Sequence, residues 1–466
     1  MMTRLLRHYV SQAMLTLLVL EALNLFGSIY LGRILYFVVI QQGDWPRMDE
    51  IVPSAMVFTI IMLMIMIALG LYERNFWSGK SEMLLRVSVS FLFGLFAMTL
   101  FYYWVPSLAL SRGEFSLAFA VAFLSTLLWR FIFFKISNHD WLKRRILVLG
   151  VGENASKIEA LQHQGTLGFL VSGYIQLHEH EVPKVPSTRM LQVTSNLPDL
   201  ANELRIDEIV VAMDDQRKGF PVEEVLNCKI DGIAIHQFLK FFERQTSKIR
   251  LEVFRPSDII FAEGLQGIGF RSAVKRGFDI FASLLLLTLT WPIMLLAVLA
   301  IKLEPGGEGP ILYQQTRVGF KDREFKVIKF RSMVVNAEKG GKAVWAQKND
   351  SRVTRVGAIL RETRIDELPQ LFNVLRGDMS FVGPRPERPE FVKDLCKKIP
   401  YYSMRHMVKP GITGWAQICY PYGASEQDAR EKLCYDLYYI KNYSFFFDVV
   451  ILLQTVHTII WGQGAR

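Results

Sequence analysis

The sequence contains little cysteine, with four residues in a chain of 466. None of them belongs to a Cys-x-x-Cys pair or has the Cys/His spacing of a metal site. This argues against a zinc-binding module and a disulfide-stabilised scaffold, and indicates reduced thiols in a cytosolic compartment. The four are Cys228, Cys396, Cys419 and Cys434.

Acidic residues number 44 against 54 lysines and arginines, which gives a net charge of +10. Such a balance suits a nucleic acid, an anionic bilayer surface or a phosphorylated substrate. Long apolar stretches favour the last two, so we expect no nucleic acid partner. The apolar stretch behind the basic segment Met1 to Arg7 lacks a small-residue cleavage site and is too long for a signal peptide, so we interpret it as a retained anchor.

Hydrophobic residues make up 51% of the chain, slightly more than in an ordinary soluble protein. Four stretches are long enough to cross a bilayer: 13–40, 51–72, 87–105 and 116–134. Lysines and arginines cluster before the first, between the second and third, and after the fourth. The positive-inside rule therefore places the N-terminus and everything after residue 135 in the cytoplasm, with a four-span helical domain over residues 1–140.

Two charged residues, Glu21 and Arg33, fall inside the first apolar stretch. Charges within a membrane are costly and often mark a path for a lipid or an ion. Side chains that face the helical bundle or reach its ends are the alternative, and the sequence leaves both interpretations open.

After Arg145 the pattern becomes α/β. The segment 146–152, ILVLGVG, is typical of a buried strand that runs into a glycine turn and then a helix. Further strands are predicted at 169–175, 208–213 and 232–237. The sequence therefore predicts a Rossmann-like domain over residues 141–255.

Gly150, Gly152 and Ala155 form a GxGxxA turn of the kind that brings backbone N–H groups to a pyrophosphate. A dinucleotide site also needs an acidic residue at the end of the second strand. There the chain has Gln176 and its neighbours Leu177 and His178. We therefore favour a structural domain without a ligand over a nucleotide-binding one.

A fifth apolar run, Gly277 to Ile301, contains Asp279 near its start and Trp291-Pro292 at its middle. Proline inside a helix removes a hydrogen bond and kinks the chain. A straight fifth span would place the rest of the chain outside the cell, whereas a helix that breaks at Pro292 and returns would keep it inside. Composition alone leaves both open.

Basic residues and two carboxylates crowd the segments that follow. FKVIKFRSM (325–333) is a basic strand-like segment, and LRETRIDELPQLFNVLRGDMSFVGPRPE (360–387) contains Asp366 and Glu367. Apolar residues at positions 368, 371, 372 and 375 predict an amphipathic helix with Pro369 in its first turn. The cations and polar residues of this region are Gln315, Arg317, Lys326, Lys329, Arg331, Arg361 and Arg364.

This pattern fits covalent phosphoryl transfer. The helix N-terminus and the nearby arginines are expected to keep Asp366 and Glu367 ionised. One carboxylate can attack phosphorus to form an acyl phosphate, the other can hold Mg²⁺, and the cations offset charge on a pyrophosphate. Glycosidase chemistry is disfavoured because adjacent carboxylates do not face each other across a sugar. A helix-capping pair is the alternative.

Several motifs from about Lys275 to Asn442 resemble the bacterial sugar transferase family, the monotopic polyprenyl-phosphate hexose-1-phosphate transferases that start exopolysaccharide and glycan repeat units. They occur in the order KRGFDI, the proline-interrupted run, QQTRVG, KFRSM, DELPQLFNVLRGDMSFVGPRP, KPGITGWAQ and YDLYYIKN. The resemblance implies transfer of hexose-1-phosphate from a UDP-hexose to polyprenyl phosphate, with release of UMP.

The resemblance also implies residue roles. Asp366 is the expected nucleophile and Glu367 the Mg²⁺ ligand, and Arg364 is expected among the residues that bind the phosphates or the nucleotide. Lys329, Arg331 and Arg361 are expected near the phosphates. Pro384, Arg385 and Pro386 are expected near the nucleotide. The resemblance also implies a re-entrant helix that is broken at Pro292.

The expected architecture has three parts and lies in the bacterial inner membrane, with the catalytic part on the cytoplasmic face. A four-span bundle and a Rossmann-like domain are followed by a linker over 256–272 and an α/β monotopic catalytic domain over 273–466. The N-terminal half is then expected to anchor, regulate or dimerise the enzyme, so a homodimer is one of the predicted states.

Two other functions are weaker candidates for this chain. A membrane-anchored nucleotide-sugar dehydratase or epimerase would need a Tyr-x-x-x-Lys pair, and none of the sixteen tyrosines has a lysine four residues on. A non-enzymatic membrane scaffold would leave the charged motifs of residues 315–387 without a purpose. Both are therefore weaker than the transferase.

Overall fold

The computed structural model describes residues 2–5, 8–42, 48–72, 80–137, 143–163, 168–178, 181–192, 196–214, 220–254, 257–260, 268–304, 309–335, 352–420, 423 and 425–460. Its contacts divide the chain into two compact units. The first contains Tyr9–Ser247 and the second contains Lys248–Arg466.

The first unit begins with apolar helices, and each predicted stretch is helical. Two short strands precede them, β1 (Met2–Leu5) and β2 (His8–Ser11). The helices are α1 (Gln12–Ile34, continued by a π-helix over Leu35–Ile40), α2 (Val52–Ala68), α3 (Lys80–Trp104) and α4 (Arg112–Ser137). By length and composition, each contains a segment able to cross a membrane.

The charges inside the first helix have partners on α4. Oε1 of Glu21 lies 2.7 Å from Nε of Arg130, and both side chains are almost fully buried. The hydroxyl of Tyr72 donates to the same carboxylate. Arg33 lies 3.6 Å from Glu114. Buried charges are tolerated when they are paired, so these contacts agree with the bundle-facing interpretation and tie α1 to α4.

A five-stranded sheet follows in the same unit. Its strands are β3 (Arg144–Leu149), β4 (Phe169–Ile175), β5 (Met190–Leu191), β6 (Glu208–Val211) and β7 (Ala234–Gln237). They pair in the order β5-β4-β3-β6-β7, with all neighbours parallel. The helices are α5 (Glu153–His163), α6 (Leu197–Glu203), α7 (Val222–Ile230) and α8 (Phe238–Thr246).

The apolar runs of these strands fill two cores, one on each face of the sheet. Ile146 and Val148 point into one core, and Leu147 and Leu149 point into the other. Successive side chains of a strand alternate between faces, so a parallel sheet covered on both sides needs an uninterrupted apolar run. The four predicted strands all overlap the observed ones.

The second unit contains the remaining elements. The helices are α9 (Ser257–Ile260), α10 (Ile268–Leu303), α11 (Arg355–Glu362), α12 (Gln370–Arg376), α13 (Pro389–Lys398), α14 (Trp415–Cys419), α15 (Glu426–Lys441) and α16 (Phe445–Ile460). The strands are β8 (Leu312–Val318) paired antiparallel with β9 (Glu324–Phe330), and β10 (Ser380–Val382) paired parallel with β11 (Gly411–Thr413).

The segment before α10 packs into the core of this unit. Ile249, Leu251, Phe254 and Ile259 are buried in one cluster with side chains of α12, α15 and α16. The N–H of Ile249 donates to the carbonyl of Cys434 at 3.0 Å. The predicted domain end at residue 255 and the predicted linker over 256–272 do not coincide with the boundary between the two units. The second unit begins at Lys248 instead.

Helix α10 includes Pro292, and the re-entrant break expected at this proline stays a prediction. The hydroxyls of Thr288 and Thr290 donate to the carbonyls of Leu284 and Leu286, one turn earlier. The missing N–H of Pro292 removes one hydrogen bond, and the neighbouring helical bonds persist around it. The proline therefore lies inside a helix that remains helical on both sides.

A chain that begins at Lys248 should be more stable than one that begins at Ile268, because the longer chain keeps the four apolar side chains of residues 249–259. Each buried side chain of this size contributes roughly 1.5–3 kcal/mol, so the shorter chain should unfold about 10 °C lower or more. Thermal unfolding of both chains in the same detergent measures this. Equal midpoints would show that residues 248–267 are not part of the folded unit.

Candidate active site

The two predicted catalytic carboxylates lie on a 3₁₀ turn between α11 and α12. The turn spans Ile365–Glu367, and Arg364 before it has a left-handed backbone conformation, with φ +59°. Pro369 follows as the residue that precedes α12. The sequence placed both carboxylates and Pro369 at the start of the helix itself, whereas the structure places them one turn before it. Asp366 and Glu367 are 6% and 8% exposed.

Three predicted cations converge on Glu367. Nζ of Lys329 and Nη2 of Arg385 each lie 2.8 Å from its Oε1, and Nη1 of Arg364 lies 3.9 Å from the same atom. Lys329 comes from β9, and Arg385 from the loop after β10. Residues that lie more than fifty positions apart in the sequence therefore meet at one carboxylate oxygen.

These contacts set the charge of Glu367. Burial opposes its ionisation, but Arg385 and Lys329 outweigh that cost and hold the pKa of Glu367 well below its usual range. Burial also lowers the pKa of Lys329, against the attraction of Glu367. The result is an ionised carboxylate fixed between cations in a partly buried site.

Asp366 has a different environment. Burial raises the pKa of Asp366, and Lys329, Arg385 and Arg361 only partly offset this. The sequence predicted that the nearby arginines keep both carboxylates ionised; the pKa of Glu367 is lowered as that requires, whereas the pKa of Asp366 is raised. Adjacent acids with pKa values pushed apart can take different chemical roles.

The other predicted residues lie on several different elements, and of them Arg361 acts on the pair. Arg361 lies on α11 and acts on Asp366 through its charge. Arg331 follows β9, where a Cβ on Gly309 would come within 2.7 Å of its Nη1, so its guanidinium lies beside that glycine. Pro384 and Pro386 flank Arg385 in the loop that reaches Glu367. Pro292 lies inside α10.

The loop that carries Arg385 rests directly on β11 and the residues just before it. The N–H of Gly383 donates to the carbonyl of Thr413 at 2.9 Å, and the N–H of Gly411 donates to the carbonyl of Pro384 at 3.0 Å. A Cβ on Gly383 would lie 2.2 Å from the carbonyl oxygen of Lys409. Glycine is required here because two backbones touch.

Arg405 also holds this loop, and the sequence analysis missed it. Its Nη2 donates to the carbonyl of Arg385 at 2.9 Å and forms an ion pair with Asp436 at the same distance. Its Nη1 donates to the hydroxyl of Tyr402. On the other side of the loop, Nη1 of Arg317 donates to the carbonyl of Pro386 at 3.1 Å. Two arginines therefore hold two consecutive carbonyls of this loop, those of Arg385 and Pro386.

The signal for Arg405 in the sequence was indirect. Asp436 lies in the apolar part of α15 and is 2% exposed, so it needs a partner. Burial raises the pKa of Asp436 to about 6, against the attraction of Arg405. The sequence identifies the need for a cation, but the fold decides which cation meets it.

Arg405→Met should destabilise the protein by about 3 kcal/mol, because it leaves Asp436 buried without its ion pair. The double variant Arg405→Met with Asp436→Leu should recover most of that loss. Arg430→Met is a matched control, since Arg430 pairs with Glu252 at 3.0 Å on the surface and should cost less than about 1 kcal/mol. Denaturant unfolding of the four proteins measures this, and similar losses for Arg405 and Arg430 would contradict it.

The arrangement combines one fixed anion, one second carboxylate and several cations. Such a site can bind a phosphorylated ligand next to a carboxylate nucleophile. Among the described residues, no group of three or more His, Cys, Asp or Glu side chains could hold a metal ion. Asp366 and Glu367 still offer oxygen ligands of the type that Mg²⁺ uses together with substrate phosphates.

Comparison with known proteins gives matches to both halves of the chain. Residues 270–462 match the bacterial sugar transferase family, and residues 67–219 match a CoA-binding domain family. The first of these regions contains every predicted catalytic residue.

Three relatives illustrate the range. A UDP-N-acetylgalactosamine-undecaprenyl-phosphate N-acetylgalactosaminephosphotransferase from Aeromonas hydrophila is 42% identical over 58% of this chain and 62% of its own length. A UDP-glucose:undecaprenyl-phosphate glucose-1-phosphate transferase from Klebsiella pneumoniae is 36% identical over 67% of each chain. A protein of the same description from Caulobacter vibrioides is 45% identical over 41% of this chain and 71% of its own. The chain thus matches less than two thirds of the Aeromonas protein.

Proposed function

The chain belongs to the bacterial sugar transferase family, and from that premise we propose that it transfers a sugar-1-phosphate from a UDP-sugar to undecaprenyl or another polyprenyl phosphate. The products are UMP and a polyprenyl diphosphate sugar. The observation that supports this most strongly is the pair Asp366 and Glu367, with Lys329 and Arg385 both 2.8 Å from Glu367. The pair lies within the region that matches the family.

The proposed reaction has two displacements. In the first, a carboxylate oxygen of Asp366 attacks the phosphorus that bears the sugar, and the bond from that phosphorus to UMP breaks. In the second, an oxygen of polyprenyl phosphate attacks the same phosphorus, and the bond to Asp366 breaks. The environment of Asp366 supports its choice as nucleophile, because its raised pKa makes it the more basic of the two carboxylates.

Glu367 has two roles in this proposal. Its Oε1 orients Lys329 and Arg385, whose charges face the position of the diphosphate. Its second oxygen and the carboxylate of Asp366 would hold Mg²⁺, which when bound neutralises the diphosphate and polarises its oxygens. One or two carboxylates plus substrate phosphates make a usual Mg²⁺ site, so the donor set fits this ion.

The relatives transfer different sugars, N-acetylgalactosamine in one case and glucose in others. The sugar of this chain is therefore identified by a panel of UDP-sugars assayed for UMP release. The N-terminal half is proposed to comprise four membrane spans and a Rossmann-like domain. Its part in a homodimer stays a prediction. Catalysis by the second unit alone is supported by the match of residues 270–462 to the transferase family.

Asp366→Asn should lower transfer at least about 1,000-fold, because an amide cannot form the acyl phosphate. Glu367→Gln should raise the Mg²⁺ concentration needed for half-maximal rate and lower the maximum. Glu362→Gln, an exposed change on the neighbouring helix, is the control and should be neutral. UMP release with polyprenyl phosphate present measures all three. Near-normal turnover by the Asp366→Asn protein would refute the proposed nucleophile.

The topology of α10 follows from the shared core of the second unit. Residues 249–259 precede α10 and pack with elements that follow it. Near its start, Arg276 donates to the carbonyls of Val374 and Leu375. Just after its end, Glu304 accepts from the N–H of Val356 at 2.9 Å. Both ends of the helix therefore contact one folded body, which supports a helix that enters the membrane and leaves it on the same side.

Single cysteines at Ser272 and Lys321 in a cysteine-free protein should both react with a membrane-impermeant thiol reagent only from the cytoplasmic side. Both positions are exposed; Ser272 lies in the first turns of α10, before its apolar run, and Lys321 lies after the end of the helix. The expected sidedness follows from the positive-inside rule together with the shared core. Labelling in intact cells and in inverted vesicles measures it. Reaction of the Lys321 position from outside intact cells would exclude the re-entrant topology.

A further inference from the structure

The edge of the parallel sheet where a ligand would bind lies at the carboxyl ends of β3 and β6. In the order β5-β4-β3-β6-β7 the chain reverses direction across the sheet between these two strands. Open α/β sheets bind ligands in the crevice at this position, with phosphates at the helix N-terminus after the glycine turn. In this chain those N–H groups belong to residues 152–154, where α5 begins.

The structure gives these N–H groups partners from the chain itself. The N–H of Glu153 donates to Oδ2 of Asp214 at 2.8 Å, and that of Asn154 donates to Oδ1 at 3.0 Å. The N–H of Gly152 donates to Oε1 of Glu181 at 3.1 Å. Asp214 follows the end of β6, so its carboxylate bridges the crevice from one strand to the other.

The glycine turn is shaped around these carboxylates. A Cβ on Gly152 would lie 2.2 Å from Oδ2 of Asp214 and 3.0 Å from Oε1 of Glu181. Because Gly152 has no side chain, the carboxylate of Asp214 can lie against the turn. In a nucleotide-binding GxGxxA turn, a pyrophosphate lies at this place. The N–H of Lys184 donates to the carbonyl of Val151 at 2.8 Å, which brings the segment after Glu181 onto the same turn.

We propose that the anion-binding turn of this domain is filled by the chain's own carboxylates, Asp214 and Glu181, and that the domain takes neither CoA nor a dinucleotide. A diphosphate would have to replace three hydrogen bonds and approach two like charges, which costs several kcal/mol at this range. The carboxylates at this turn do not fit CoA, the ligand in the description of the matched domain family. The inference is independent of the transferase activity.

The test combines ligand binding with hydrogen exchange on the full-length protein in detergent. Calorimetric titration with CoA and with NAD⁺ should give no saturable binding, and neither compound should slow amide exchange at residues 152–154. Asp214→Ala should speed amide exchange at Glu153 and Asn154 about fivefold, because it removes their acceptor. Asp214→Asn, which keeps one acceptor oxygen, should give a smaller increase and serves if the alanine variant does not fold.

Asp231→Asn is the matched control, since Asp231 is an exposed aspartate of the same domain and should leave exchange at residues 153 and 154 unchanged. Faster exchange in the Asp214 variants together with no ligand binding by the unaltered protein supports the proposal. Saturable binding of CoA or NAD⁺ by the unaltered protein that slows amide exchange at residues 153 and 154 overturns it. Unchanged exchange in both Asp214 variants also overturns it.

Discussion

The ionised carboxylate of Glu367 is the constraint from which the arrangement of the second unit follows. A charge that is 8% exposed is stable only with cations close to it, and Lys329 and Arg385 supply them from different elements. The 3₁₀ turn, β9 and the loop after β10 must therefore keep fixed relative positions. Loss of either cation would leave this buried charge with less compensation, so the charges of the site also stabilise its arrangement.

The position of Arg385 depends in turn on the backbone of the loop that carries it. Arg405 and Arg317 donate to the carbonyls of Arg385 and Pro386, and Gly383 lets the loop lie against β11 and the residues just before it. Arg405 is itself paired with Asp436 on α15. The side chain that touches Glu367 is thus positioned by buried polar contacts that come from opposite ends of the unit.

Residues near both ends of the long apolar helix α10 contact other elements of the second unit. Because residues 249–259 and the elements after α10 share one core, the position of that helix is coupled to the catalytic turn. Arg276 strengthens this coupling by donating to the last carbonyls of α12, the helix that follows the 3₁₀ turn. A lipid-linked acceptor held at the membrane surface would meet the carboxylates at a fixed depth.

Much of this was predictable from local pattern, and some was not. The strands of the first unit were found because buried parallel strands leave long apolar runs, and the carboxylate pair was found because its cations repeat around it in the sequence. The segment 249–259 was taken partly as linker because it is too short to show a period. The pairing of Arg405 with Asp436, and of Asp214 with the glycine turn, depends on long-range contacts that sequence spacing does not encode.

The re-entrant break expected at Pro292 stays a prediction. Composition indicates where a helix loses a hydrogen bond, but whether the chain leaves the helix depends on the packing of both halves, and α10 has packed residues on either side of the proline. Among these residues are Ala282 and Leu286 before it and Ala297 and Ile301 after it.

The central claim is that the sugar phosphate passes through a covalent bond to Asp366. The most direct test is mass spectrometry of the protein after brief incubation with a UDP-sugar and Mg²⁺ in the absence of polyprenyl phosphate. The account predicts one equivalent of UMP and a matching mass increase on the peptide that contains Asp366, which disappears when polyprenyl phosphate is added. UMP formation that requires the acceptor, with no adduct on that peptide, would contradict it.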